Sequence, residues 1–271
     1  MKLSATLISI LIPLLLIALT SSQPYFCSAF CSQSSCTGTT SSSCTSSCPT
    51  NWLLTGSTCL LDATSNYTLV GQSPDIPGGT NVTVSPSAQT TCPPYTYYGN
   101  NQCSTPFTIT ITPGVDYYSL TVAVWVIFGD DKTWSTAKNI NMAVGTVTQS
   151  VSMASSGAQS NLCSGNDVQT YYRASFSFTP INGTSPVTAT LSSDVTNSQC
   201  TWGMKEVIAT VQKCNSICLT CFGPDSTKCY SCIASYYLSG NTCSTSCLAG
   251  YGTVTSSFIC VLCDLKCVVC S

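Results

Sequence analysis

Twenty-one cysteines and no histidine set the chemistry open to this chain. Four CxxC pairs, Cys218/Cys221, Cys229/Cys232, Cys260/Cys263 and Cys267/Cys270, have the spacing of a zinc ribbon or a dithiol redox centre. Both uses need thiolates, which persist where thiols are kept reduced; in an oxidising compartment the same pairs become structural disulfides. The absent histidine removes the Ser-His and Cys-His nucleophile pairs and the commonest zinc ligand. One glutamate, Glu206, and nine scattered aspartates offer no paired carboxylates: Asp130 and Asp131 are adjacent, and neighbours on a turn point apart. The expectation is a non-catalytic protein.

The compartment follows from the first residues. Met1 to Leu19 carries one positive charge and then an apolar run, followed by the small residues Thr20, Ser21 and Ser22. That is the layout of a secretory signal peptide over residues 1–22, and the run is short for a membrane span. Ser119 to Phe128 is shorter still, so no transmembrane segment is expected in the mature chain. Three sequons, at Asn66, Asn81 and Asn182, agree with passage through a secretory compartment. Disulfide staples are therefore preferred over zinc. Eight basic residues form no stripe, which argues against nucleic acid as a partner.

The cysteines also divide the chain. Forty-nine residues separate Cys214, Cys218 and Cys221 from Cys263, Cys267 and Cys270, an internal repeat whose second copy begins at Cys263. The spacing of Cys27, Cys31, Cys36, Cys44, Cys48 and Cys59 is close to that of the later block. This gives a cysteine-rich module at 23–60, a repeat at 214–262 and the start of another at 263–271. Residues 61–103, rich in Ser, Thr, Pro and Gly, are expected as a glycosylated connector with a small disulfide loop. Between 104 and 213 strand patterns appear. Phe107, Ile109 and Ile111 alternate with threonines, as do Val187, Ala189 and Leu191, and Tyr172, Ala174, Phe176 and Phe178 alternate with polar residues. Val207, Ala209 and Val211 close the set. Tyr117 to Phe128 is continuously apolar, as suits a central strand buried on both faces, and the whole argues for a β-sandwich.

The block CNSICLTCFGPDSTKCYSCIASYYLSGNTCSTSC, with its Gly223-Pro224 and Tyr236-Tyr237-Leu238, resembles the furin-like cysteine-rich repeats of growth-factor-receptor ectodomains and of surface proteins of unicellular eukaryotes. Sequence alone does not fix connectivity. The resemblance implies Cys214–Cys221, Cys218–Cys229, Cys232–Cys243, Cys247–Cys260 and Cys263–Cys270, and for the first module Cys27–Cys36, Cys31–Cys44 and Cys48–Cys59. Cys92 with Cys103 and Cys163 with Cys200 then remain as pairs, and Cys267 is left unpaired. The 104–213 segment resembles a galactose-binding-like jelly roll through its long strand ending at Phe128, the GDDKTW turn and the closing CTWGMKEVIATV. The expected fold is thus all-β, a jelly-roll sandwich flanked by small disulfide-rich furin-like repeats. Jelly rolls of that kind bind sugars through loops at one end, which points to Asp130, Asp131, Trp134 and Trp202, with calcium as an optional ligand of the acids. The plainer reading makes Gly129-Asp-Asp an ordinary turn and both tryptophans core. The functional expectation is a secreted or cell-surface glycoprotein that binds a glycan or an extracellular protein. A structural coat component and a fragment of a receptor ectodomain are the alternatives.

Overall fold

The structure, a computed structural model, describes residues 44, 48, 52–55, 58–61, 67–73, 81–92, 95–114, 116–129, 138–153, 169–179, 186–195 and 200–263. No helix occurs among the described residues, which are built from strands and turns. An N-terminal hairpin, β1 (Trp52–Thr55) and β2 (Thr58–Leu61), is followed by β3 (Tyr67–Ser73), β4 (Val82–Ser85), β5 (Gln89–Cys92) and β6 (Tyr95–Gln102). Then come β7 (Phe107–Ile111), β8 (Tyr117–Gly129), β9 (Lys138–Val144), β10 (Val147–Met153), β11 (Gln169–Phe178), β12 (Val187–Ser193) and β13 (Thr201–Lys213). The C-terminal module contains β14 (Cys218–Cys221), β15 (Cys229–Cys232), β16 (Tyr237–Ser239), β17 (Thr242–Ser244), β18 (Tyr251–Val254) and β19 (Ile259–Leu262).

Two sheets form a β-sandwich. One has the order β10-β9-β12-β7-β4; the other runs β11-β8-β13-β6-β5, with β3 also lying along β13. Alternation drives the first: Phe107, Ile109 and Ile111 of β7 are buried while Thr108 and Thr110 are half-buried, and β12 answers with buried Ala189 and Leu191 opposite Ile109 and Phe107. Strand β8 is covered on both faces, as its continuous apolar run requires. Leu120, Val122, Val124, Val126 and Phe128 face the core between the sheets together with Ala174, Phe176 and Phe178 of β11. Each fully buried large apolar side chain contributes about 1.5–3 kcal/mol.

Strand β13 is the other long central strand, and its apolar pattern changes parity midway. Trp202 and Met204 face the core, then Val207, Ala209 and Val211 do so. A strict period of two would send one set to the opposite face. A β-bulge between Lys205 and Ile208 against β8 absorbs one extra residue, with Glu206 at φ 53°, and both apolar sets stay inside.

One expectation is corrected here. Residues 67–102, within the expected connector, supply strands β3 to β6 and complete both sheets. Their Ser, Thr and Tyr content masks short edge strands such as β4, whose Val82 and Val84 face the core between exposed Thr83 and Ser85. The β9–β10 hairpin had no sequence expectation. It turns through Gly145 and Thr146, with Gly145 at φ 58°, the positive value a two-residue hairpin needs at its first turn position.

The C-terminal module has too few apolar residues for a core of its own and is closed by Cys214–Cys221, Cys218–Cys229, Cys232–Cys243 and Cys247–Cys260. It joins the sandwich at the start of β8. Tyr118 packs into the cluster of Cys218, Cys221, Cys229, Cys232 and Cys243, and the Cys214 amide donates to the Asp116 carbonyl at 3.3 Å. In the first module Cys48 is joined to Cys59.

Candidate functional site at the clasped end of the sandwich

Strand direction gives the sandwich two distinct ends. At one, Lys213 lies opposite Tyr117 and Val187 opposite Ile111, and the C-terminal module begins. At the other, Gly129 closes β8 opposite both Gln169 and Thr201, Gln102 closes β6 opposite Thr201, and Met153 lies opposite Lys138. Strands β6, β8, β10 and β12 therefore end, and β7, β9, β11 and β13 begin, at this second end. Loops gathered on a rigid scaffold are where binding residues concentrate.

The second end is cross-linked. Cys103 is joined to Cys200, tying the approach to β7 to the start of β13 across 97 residues of sequence. The Cys103 amide also donates to the Cys200 carbonyl at 3.0 Å, and the Ser193 hydroxyl donates to the Cys103 carbonyl at 3.5 Å. Asp194 accepts twice from Asn139: the backbone amide meets Oδ1 at 2.8 Å and the side-chain amide meets Oδ2 at 3.0 Å. These bonds hold the exit of β12 against the entry of β9.

The Cys103–Cys200 bond corrects two expected pairs, Cys92–Cys103 and Cys163–Cys200. Cys103 closes a turn after β6, beside the residue that opens β13, so its near partner is across the sheet and not along the chain. Trp202 is corrected as well. Its ring is 1% exposed, lies 5.8 Å from the Phe128 ring and 5.1 Å from that of Phe107, and its Nε1 donates to the Thr105 carbonyl at 2.9 Å. An indole whose face is packed and whose N–H is used cannot serve as a sugar platform; Trp202 supports the 103–106 segment from beneath.

Asp130, Asp131 and Trp134 lie outside the described residues, as do Asn66, Asn182, Cys27, Cys31, Cys36, Cys163, Cys267 and Cys270. Cys44 and Cys263 are disulfide-bonded, and Cys92 is the last residue of β5. Asn81 is exposed just before β4. The sulfur atoms of Cys218, Cys229 and Cys243 lie within 4.8 Å of one another, a grouping that as thiolates would suit a soft metal. They belong to the Cys218–Cys229 and Cys232–Cys243 disulfides, so the oxidised module has no thiolate to offer there.

Sequence reasoning missed a row of charges on the outer face of the six-stranded sheet. Arg173, Trp125 and Lys205 are cross-strand neighbours on β11, β8 and β13 and share that face. The Lys205 ammonium lies 3.6 Å from the Glu206 carboxylate, both buried. Burial lowers the Arg173 guanidinium from its usual pKa, and the Glu206 charge pulls it back up. One step along, Gly203 lies under the Tyr97 ring. The available signal was Lys205-Glu206 inside an otherwise apolar strand: Lys205 faces away from the core by alternation with Met204, and Glu206 sits in the bulge that follows.

No protein-family model matches the chain, and no curated protein does. Slight likenesses to solved structures exist. The CBM22-1 xylan-binding domain of Paenibacillus barcinonensis Xyn10C is 11% identical over 56% of this chain and 100% of its own, with a TM-score of 0.32. Dimeric latent PorU of Porphyromonas gingivalis is 11% identical over 49% of this chain, with a TM-score of 0.31; the match spans 12% of PorU. The catalytic unit of the GH87 α-1,3-glucanase of Streptomyces thermodiastaticus is 12% identical over 58% of this chain and 28% of its own, with a TM-score of 0.27. Likenesses this slight carry no functional argument.

Proposed function

We propose that this chain is a secreted or cell-surface, non-catalytic binding protein in which furin-like cysteine-rich modules carry a β-sandwich that engages a glycan or an extracellular protein. The observation that carries the reading is the polarity of the sandwich. The C-terminal module is tied to one end through Tyr118 and Asp116, while at the opposite end four strands finish, four begin and Cys103–Cys200 forms a clasp. A clasped loop end lowers the ordering cost of binding, because less freedom remains to be lost. Asp130, Asp131 and Trp134 come after β8 in the sequence, and they are the residue types a saccharide needs: an aromatic face for the ring and carboxylates for hydroxyls. The abundance of disulfides fits an oxidising compartment, and no helix among the described residues is long and apolar enough to cross a membrane.

The test is an array of glycans and extracellular proteins probed with the full oxidised chain, with and without calcium. Selective binding that is lost in Trp134→Ala and kept in Leu248→Ser, on the module, supports the reading. Binding indifferent to Trp134 would remove the site from that residue, and none under any condition would favour a structural coat protein.

A further inference from the structure

Strand β4 is the open edge of the five-stranded sheet: among the described residues it pairs only with β7. Val82 and Val84 point into the core, so the strand is held firmly in the sheet, while Thr83 and Ser85 are exposed. An extended edge of this kind offers its free backbone groups to a strand of another molecule unless something blocks it. Thr83 is also the hydroxyl residue of the sequon Asn81-Val-Thr. Asn81 stands exposed at the mouth of the edge, where its main-chain carbonyl accepts from the Thr112 amide at 2.8 Å. The backbone is thus anchored, and the residue is exposed.

We infer that Asn81 is an N-glycan acceptor whose glycan covers the open edge of β4. The side-chain amide nitrogen attacks C1 of the reducing-end sugar of a lipid-pyrophosphate oligosaccharide. The N–C1 bond forms, the C1–O bond to pyrophosphate breaks, the amide gives up one proton and the lipid pyrophosphate leaves. The position also says what the glycan leaves bare. Val82 lies opposite Ile111, at the end of the sandwich where the C-terminal module begins, so a glycan on Asn81 sits away from the Cys103–Cys200 end. Tyr67, which follows the sequon residue Asn66, lies opposite Gln212, and Phe178 and Val187, which bracket Asn182, lie opposite Leu120 and Ile111, all at the module end.

The test uses the full chain secreted from a eukaryotic host, with its leader intact. Glycan removal by an N-glycosidase in heavy-oxygen water converts an occupied Asn81 to a labelled aspartate, which peptide mass spectrometry reads. Label at Asn81 in most secreted molecules is expected, lost in Thr83→Ala and kept in Thr83→Ser. An unmodified Asn81 in secreted, folded protein would overturn the assignment. Sedimentation velocity tests the covering role. Thr83→Ala, which leaves Asn81 itself in place, should self-associate at concentrations where the wild type and Thr83→Ser stay monomeric. Equal sedimentation of all three would show that the glycan does not guard the edge.

Discussion

Glu206 is the residue on which the central strand turns. Its backbone, at φ 53°, carries the bulge that keeps Met204 and Val207 both inside, and its carboxylate lies beside Lys205 on the outer face. Removing only the charge, in Glu206→Gln, leaves the Lys205 cation and the buried part of Arg173 without their carboxylate. The expected loss is about 3–5 kcal/mol in urea unfolding, the usual cost of breaking a buried pair from one side. Lys205→Met combined with Glu206→Leu should recover the share owed to Lys205, and a double variant as unstable as the single one would place the loss at Arg173 or at the bulge and not at the Lys205 pair. Tyr117 behaves oppositely. Its buried hydroxyl has no hydrogen-bond partner among the described residues, so Tyr117→Phe should raise stability by about 1 kcal/mol. Burial also holds the phenols of Tyr97, Tyr117 and Tyr172 above the ordinary 10.0. Below pH 10 both states keep these protons and the full stability is present. As pH rises past 10 the unfolded chain releases them first, so stability should fall, with a shallower slope in Tyr117→Phe.

At the level of elements, the approach of β6 to β13 is set by two glycines. A side chain on Gly99, at φ 141°, would strike the Gly203 Cα, and one on Gly203 would strike the Tyr97 ring and the Tyr98 carbonyl. Backbone cannot yield as a side-chain tip does, so Gly203→Ala should cost about 1–3 kcal/mol in thermal unfolding. The strands with clean alternation, β7, β11 and β12, were legible in the sequence because one face of each is core, and β8 was legible because both faces are covered. Strands β3 to β6 were hidden by their Ser, Thr, Tyr and Gly content, which reads equally as loop. The bulge in β13 was hidden for a different reason: its two apolar sets are each regular, and only the pairing with β8 shows the added residue. For the clasp, Cys103 and Cys200 were both expected in disulfides, yet their partners depend on strand neighbours far apart in sequence, which no spacing encodes.

Among the described residues the molecule is a sandwich with a stapled module at one end and the Cys103–Cys200 clasp at the other. Tyr118 is the main side chain carried from the sandwich into the module's disulfide cluster. Tyr118→Ser should leave each unit folded and loosen their joint, seen as faster limited proteolysis near Lys213 and Cys214 with little change in the sandwich's own unfolding. Strand direction sets the two ends, and the clasp at the end away from the module is the Cys103–Cys200 bond, which closes a loop long enough to stabilise the fold by about 4–5 kcal/mol. Peptide mapping of the non-reduced protein tests this most directly. A cross-linked peptide containing Cys103 and Cys200 is the predicted result. Cys103 recovered with Cys92, or Cys200 with Cys163, would contradict it and remove the clasp from the end where binding is placed.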